Sequence, residues 1–153
     1  MKIFFQIIVF FITLTWILFI IGCNGSSVIK TDVVEGTITY KGVPVTDANI
    51  SFSPVSNGSP AYGRTDSQGK YKLQTLLGAV DQGTTQGEYV VIINKTENIP
   101  TGKKEIDPDG KEVDIMVSKS LLPTIYSSAT TTPLKATVIS GKNVFDFNLV
   151  DSP

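Results

Sequence analysis

The chain from Val33 onward is predicted to be all-β, a two-sheet sandwich of about seven strands. Three observations predict it. Apolar residues recur at every second position in short runs. Clusters of Gly, Pro, Asn and Asp interrupt the chain about every eight to twelve residues, and no segment sustains helical periodicity. A barrel of similar size fits the same pattern.

The strands follow in order. Val34, Gly36, Ile38 and Tyr40 alternate with Glu35, Thr37, Thr39 and Lys41, as in a strand with one face covered. Lys41-Gly42-Val43-Pro44 is a turn, because glycine admits positive φ and proline fixes its own. Ala48, Ile50 and Phe52 mark a second strand, ended by Pro54 and the loop Ser56-Asn57-Gly58-Ser59-Pro60. A third covers Ala61 to Thr65. The turn Asp66-Ser67-Gln68-Gly69 follows, in which the Asp66 carboxylate is expected to accept backbone N–H groups across to Gly69. Both residues are therefore assigned to the fold rather than to chemistry.

Tyr71 and Leu73 lie on one face of a fourth strand. Glu88 to Asn94 is apolar on both faces, with Tyr89, Val91 and Ile93 opposite Val90 and Ile92, which predicts a central strand covered on both sides. Further strands are expected at Glu112–Ser118, Leu134–Ile139 and Asn143–Leu149, the last after a hairpin-like turn, Ser140-Gly141-Lys142-Asn143. The stretches Thr75–Gly87 and Lys119–Pro133 read as surface loops. The expected core is Ile38, Ile50, Phe52, Leu73, Tyr89, Val91, Ile93, Val138, Phe145 and Phe147.

The amino terminus is of another kind. Lys2 precedes an apolar run from Ile3 to Ile21, broken only by Gln6, Thr13 and Thr15, too continuous for a core element and suited to a signal sequence or a membrane helix. At its end, Ile20-Ile21-Gly22-Cys23 resembles the bacterial lipobox. That resemblance implies cleavage after the small residue Gly22 and lipid on the Cys23 thiol. The chain then divides into a leader, 1–22, a lipidated cysteine and flexible tether, 23–32, and one domain, 33–150. An uncleaved signal anchor is the rival. Asn24 stands where enteric bacteria use aspartate for inner-membrane retention, so the outer membrane is the more expected destination, with the domain outside the cytoplasm.

Composition narrows the chemistry. Of 153 residues, 131 follow the leader, enough for one core. The chain has no histidine, which removes the usual general base and the commonest zinc ligand. Its single cysteine cannot form an intramolecular disulfide. A net charge of −1 without a Lys/Arg stripe gives no field for nucleic acid.

The order of turns resembles the carboxypeptidase regulatory-like domains, which share the transthyretin-like (prealbumin-like) sandwich. Gly36 through Phe52 match their opening "GxVxxxGxPVxxAxVxF" stretch. Thr65-Asp66-Ser67-Gln68-Gly69-Lys70-Tyr71-Lys72-Leu73 matches "TDxxGxYxL", and Gly87 to Ile93 match "GxYxVxV". The tail, with Pro123, Tyr126, Thr131-Thr132-Pro133-Leu134, Gly141, Asn143 and Phe145 to Leu149, looks like that of small planctomycete-type lipoproteins. The resemblance spans Val33 to Leu149. It implies an accessory, adhesive or spacer module rather than a peptidase.

Candidate sites are few. Asp107, Asp109, Glu112 and Asp114 crowd a Gly-centred turn, where calcium ligation competes with a plain Asp/Gly turn; no metal site is assigned. Ser118 and Ser120 beside Lys119 lack a framing motif, so no catalytic residue is assigned and no cofactor is expected. Tyr62 and Tyr126 are possible interaction residues, with Tyr126 alternatively plugging one end of the sandwich. The expected partners are the bilayer, through acylated Cys23, and an envelope protein or polysaccharide. The function expected is a non-enzymatic structural or interaction module, or alternatively a small-ligand or carbohydrate-binding one.

Overall fold

A computed structural model describes residues 30–75 and 83–151. Among them the strands are β1 (Val34–Tyr40), β2 (Val43–Pro44), β3 (Asn49–Pro54), β4 (Ala61–Arg64), β5 (Lys70–Lys72) and β6 (Gln74–Thr75). After the undescribed interval come β7 (Gly87–Asn94), β8 (Thr96–Ile106), β9 (Glu112–Ser120), β10 (Lys135–Val138), β11 (Asn143–Val144) and β12 (Phe147–Leu149). A 3₁₀ turn at Thr124–Ser127 is the one helical element among the described residues. No helix there is long and apolar enough to cross a membrane. The chain is an all-β sandwich, as its alternation predicts.

The first sheet is organised by β1. Along one edge it pairs antiparallel with β2, at Thr39–Tyr40, and with β5, at Glu35–Thr37. Along the other it pairs in parallel with β11, at Val34–Glu35, and with β12, at Ile38–Tyr40. Lys41 and Gly42, at φ 53° and 79°, make the tight two-residue loop that joins β1 to β2. The chain leaves the ladder between β11 and β12, and a side chain fills the missing rung. Asp146 Oδ1 accepts the Thr37 N–H at 2.7 Å. There the Phe145 carbonyl takes the Tyr71 hydroxyl at 2.9 Å and presses onto Gly36, where a Cβ would lie 1.9 Å from its oxygen. Only glycine fits that crossing.

The second sheet is antiparallel, in the order β10-β7-β3-β4-β6. The expected central strand is inside it, paired with β3 from Tyr89 to Asn94 and with β10 from Gly87 to Val90, but it is covered on one side only, since Val90 and Ile92 on the outer face are half-buried. The inner faces of the two sheets form one apolar core. Phe52, fully buried on β3, has the rings of Tyr89, Phe145 and Phe147 at 5.8, 5.9 and 6.4 Å. It thus touches aromatics of both sheets, and removing such a ring costs about 3–5 kcal/mol.

Nine of the ten expected core residues are buried. Phe145 is half-buried, because it sits at the break between β11 and β12. Two other expectations need correcting. The turn Ser140–Asn143 does not close a hairpin: β10 belongs to the second sheet and β11 to the first. The buried Asn143 side chain shapes this crossover, taking the Ile139 N–H at 2.9 Å and donating to the Ile139 and Gly141 carbonyls. The second correction is β8, a strand in a segment to which apolar alternation assigns none.

The expected tether ends earlier than residue 32. Asp32 is buried and forms a two-way backbone bridge with Thr84, at 2.8 and 3.1 Å. Its carboxylate accepts the Gly141 N–H at 2.7 Å and the Gln86 side-chain amide at 3.0 Å. One side chain therefore clasps the domain entrance to the crossover between sheets. The Gly141 bond first, then that from Gln86, holds the Asp32 carboxyl below its ordinary range.

A carboxyl depressed in the folded state stabilises above its unfolded pKa, and the contribution disappears as pH falls through the folded value. Asp32→Asn is expected to lower the urea midpoint at about pH 7, with the gap from wild type closing toward about pH 3. Urea titrations of both chains at the two pH values check this. An equal gap at both would mean that the charge contributes nothing.

Candidate functional site

The most exposed part of the domain is the ribbon β8–β9. A single residue, Lys95, separates β7 from β8, and the Leu121 N–H returns to the Lys95 carbonyl at 2.9 Å. The ribbon is thus rooted in the strand at the heart of the second sheet. At roughly 3.3 Å per residue, β9 alone runs about 30 Å. β8 and β9 pair with each other and with no other strand among the described residues.

Register sets the ribbon's two faces. Ile99 lies opposite Val117 and Glu105 opposite Val113, so Ile99, Val113, Ile115 and Val117 share one face by the alternation of the pleat. Pro100 opposite Met116 and Ile106 opposite Glu112 share the other. Ile106, Met116 and Val117 are 66, 50 and 47 % exposed. Charges are matched across the strands: Lys119 faces Glu97, Lys104 faces Asp114, and Lys104 Nζ lies 3.0 Å from Glu112.

The ribbon ends in a turn that repeats one in the sandwich. Asp107 Oδ1 accepts the N–H groups of Asp109 and Lys111 at 3.0 and 2.8 Å. Asp66 Oδ1 does the same for Gln68 and Lys70 at 2.7 and 2.9 Å. Gly69 and Gly110 hold the same place in the two turns, at φ 74° and 79°. Gly69 also docks on β1: its carbonyl takes the Ile38 N–H at 2.8 Å, and a Cβ there would come within 2.6 Å of the Ile38 oxygen. Asp66 and Gly69 are fold residues. Asp107 spends its carboxylate on backbone N–H groups in the same way, and among the described residues no three acidic or cysteine side chains converge on a metal-sized site.

The two tyrosines part company. Tyr62 is 43 % exposed on the outer face of the second sheet, in a cross-strand row with Gln74, Ser51 and Ile92. Asn49 and Asn94 adjoin it, joined by a 3.4 Å amide bond, and the group floors an open depression of about 360 Å³. Tyr126 is not a surface residue, and its reading as an interaction residue is corrected. It is 1 % exposed, donating its hydroxyl to the Val150 carbonyl at 3.0 Å and accepting the Val150 N–H at 3.1 Å. The 3₁₀ turn folds an otherwise polar loop inward, so the ring closes one end of the core. Gly22 and Cys23 lie outside the described residues.

A larger open cleft, about 490 Å³, crosses the outer face of the first sheet by Glu35, Lys70, Lys72 and Asp146. Its carboxylates serve the fold. Asp146 supplies the missing rung beside β1, and Glu35 pairs with Lys142 at 2.7 Å, which lowers its pKa. Burial, then the charge of Asp146, pushes the Tyr71 hydroxyl well above the usual phenol range.

Sequence reading missed half of the ribbon. Thr96 to Ile106 buries neither face, so no alternation marks it, and Pro100 and Gly102 read as breakers. A usable signal was nonetheless there: Lys-Lys-Glu-Ile before Asp-Pro-Asp-Gly, with Val113, Ile115 and Val117 after it, is the outline of a hairpin.

No family model and no curated protein sequence matches the chain. Among solved structures it is similar to a 9R-lipoxygenase from Cyanothece PCC8801, at 11% identity and a TM-score of 0.36, over 78% of this chain. The chain spans 16% of that enzyme's length, and a likeness of that degree says nothing about activity.

Proposed function

We propose that the chain is a non-enzymatic envelope lipoprotein, in which a transthyretin-like sandwich of the carboxypeptidase regulatory-like kind holds a β-ribbon out as an interaction element. The ribbon carries the reading. A two-stranded hairpin alone is only marginally stable in water, and a long apolar edge is a liability that monomeric proteins blunt. This one keeps Ile106, Met116 and Val117 in solvent on a ribbon rooted in β7, which is paired on both edges inside the second sheet. A partner that covers the ribbon accounts for both features.

The leader supports the address. Acylation of Cys23 after cleavage at Gly22 would fix the domain to a membrane, the outer one by the residue at Asn24. Several acyl chains anchor firmly, each buried methylene contributing about 0.8 kcal/mol. The tether would then run only to Thr31, since Asp32 is already bound into the fold.

Chemical crosslinking in intact cells, followed by intact-mass analysis, tests this reading. Wild-type chain is expected to lack residues 1–22, to carry lipid on Cys23, and to form adducts lost when Thr96–Ser120 is replaced by a short turn, with the melting transition kept. Adducts indifferent to the ribbon would contradict the interaction role. A retained Met1 with a free thiol would replace the lipid by a membrane helix.

The Tyr62 face favours a second reading, a carbohydrate-binding module. An exposed ring beside Asn49, Asn94 and Gln74 offers stacking and amide hydrogen bonds, the chemistry that recognises sugars. Affinity electrophoresis in envelope polysaccharide should retard wild-type chain and not Tyr62→Ala. Equal mobility would remove this reading.

A further inference from the structure

We propose that the outer edge of β9 pairs antiparallel with β9 of a second copy of this chain, about a two-fold axis through Met116, joining two ribbons into one four-stranded sheet. The inference rests on the interaction role of the ribbon and names its partner.

The two edges of the ribbon are unequal. β8 carries the usual guards of an unpaired edge. Pro100 has no N–H to offer, and the register shift between Pro100 and Lys104 sets Thr101, Gly102 and Lys103 opposite Ile115 alone. Lys103 and Lys104 add charge there. β9 carries charge too, at Glu112, Asp114 and Lys119, but none of the backbone devices: Glu112-Val113-Asp114-Ile115-Met116-Val117-Ser118-Lys119-Ser120 runs without proline, glycine or bulge. The outer strands of the sandwich, β2, β5, β6, β10, β11 and β12, are two to four residues long. The edge of β9 has nine. Among the described residues, β9 thus presents one long edge that no proline, glycine or bulge interrupts.

The sequence of that edge suits itself. A two-fold axis normal to a sheet pairs residues whose numbers have a fixed even sum, since each must meet a residue on its own face. Centred on Met116, the pairing uses the whole of β9. Ile115 meets Val117, Asp114 meets Ser118, Val113 meets Lys119, and Glu112 meets Ser120. Glu112 and Asp114 thus meet the hydroxyls of Ser120 and Ser118 on one face, the β-branched pair Ile115 and Val117 meets on the other, and no like charges stand directly opposite. Centring one residue earlier, on Ile115, leaves Lys119 and Ser120 beyond the partner strand, with Lys119 alongside Lys111 of the partner's turn. Centring one later, on Val117, leaves Glu112 and Val113 beyond the partner strand. A parallel in-register pairing stacks each charge on its copy and does not close.

The product also repairs the ribbon's weakness. Four antiparallel strands with Ile99, Val113, Ile115 and Val117 of both copies on one face meet the requirement for a self-sustaining sheet, three or more strands with an apolar face.

The test uses full-length chain in detergent. Met116→Cys is expected to oxidise to a covalent dimer at dilutions where Ile139→Cys, on an exposed connection of the sandwich, and the wild type with Cys23 alone remain monomeric. Light scattering should show a wild-type dimer that the double variant Met116→Lys/Val117→Lys weakens by roughly tenfold or more, with an unchanged melt. A wild type monomeric throughout the micromolar range, or Met116→Cys crosslinking no faster than Ile139→Cys, would overturn self-pairing. A photoreactive side chain at position 116 in cells separates the two readings. An adduct with a different protein, without one of doubled mass, ends self-pairing and leaves the interaction role standing. No adduct at all ends both.

Discussion

Everything in the first sheet hangs on β1, which must satisfy backbone groups along both edges with four short strands drawn from three regions of the chain. None of those partners exceeds three residues, so none could hold a sheet together by itself. The ladder is completed by substitutes. The Asp146 carboxylate stands in for a carbonyl, the Gly69 carbonyl reaches Ile38 from a turn, and Gly36 gives up its side chain to let the Phe145 carbonyl close in. Such arrangements satisfy the buried backbone while leaving the strand no freedom to slip. Ile38 and Val34 are thereby aimed at the core, and Phe52 meets its aromatic neighbours from both sheets.

Much of this was legible in the sequence. Period-two apolar runs located β1, β3, β7 and the outer members of the last strand, because those segments bury one face and the pattern records burial. Turn chemistry at Asp66–Gly69 was legible for the same local reason. Three features escaped. Phe145 looks like its neighbours, yet the chain leaves the ladder there, and only the partner strand determines that. The Ser140–Asn143 turn looks like a hairpin, whereas its ends enter different sheets, a decision made by pairing at long range. β8 escaped because an unburied strand has no hydrophobic period to display. Of the site residues, Tyr62 lies on a surface as expected. Tyr126 takes the alternative place expected for it, plugging one end of the sandwich, because the loop that carries it turns inward to cover the core.

The division of labour follows from these features. The sandwich, clasped at its entrance by Asp32, presents two unlike surfaces: a polar sheet face centred on Tyr62 and a two-stranded ribbon that pairs with no other strand among the described residues. The clefts between strands have their carboxylates engaged in turns, rungs and ion pairs. On the proposed reading, such a surface would serve recognition, by stacking or by strand addition.

The central claim is that the ribbon is a partner-dependent element on an independently stable domain. Hydrogen exchange resolved by peptide, on full-length chain in dilute detergent and in native membranes, tests it most directly. The account predicts slow exchange for β1, β3 and β7 in both conditions, with Thr96–Ser120 exchanging fast in dilute detergent and becoming protected in the membrane. Protection of the ribbon equal to that of β7 in the dilute, isolated chain would contradict it.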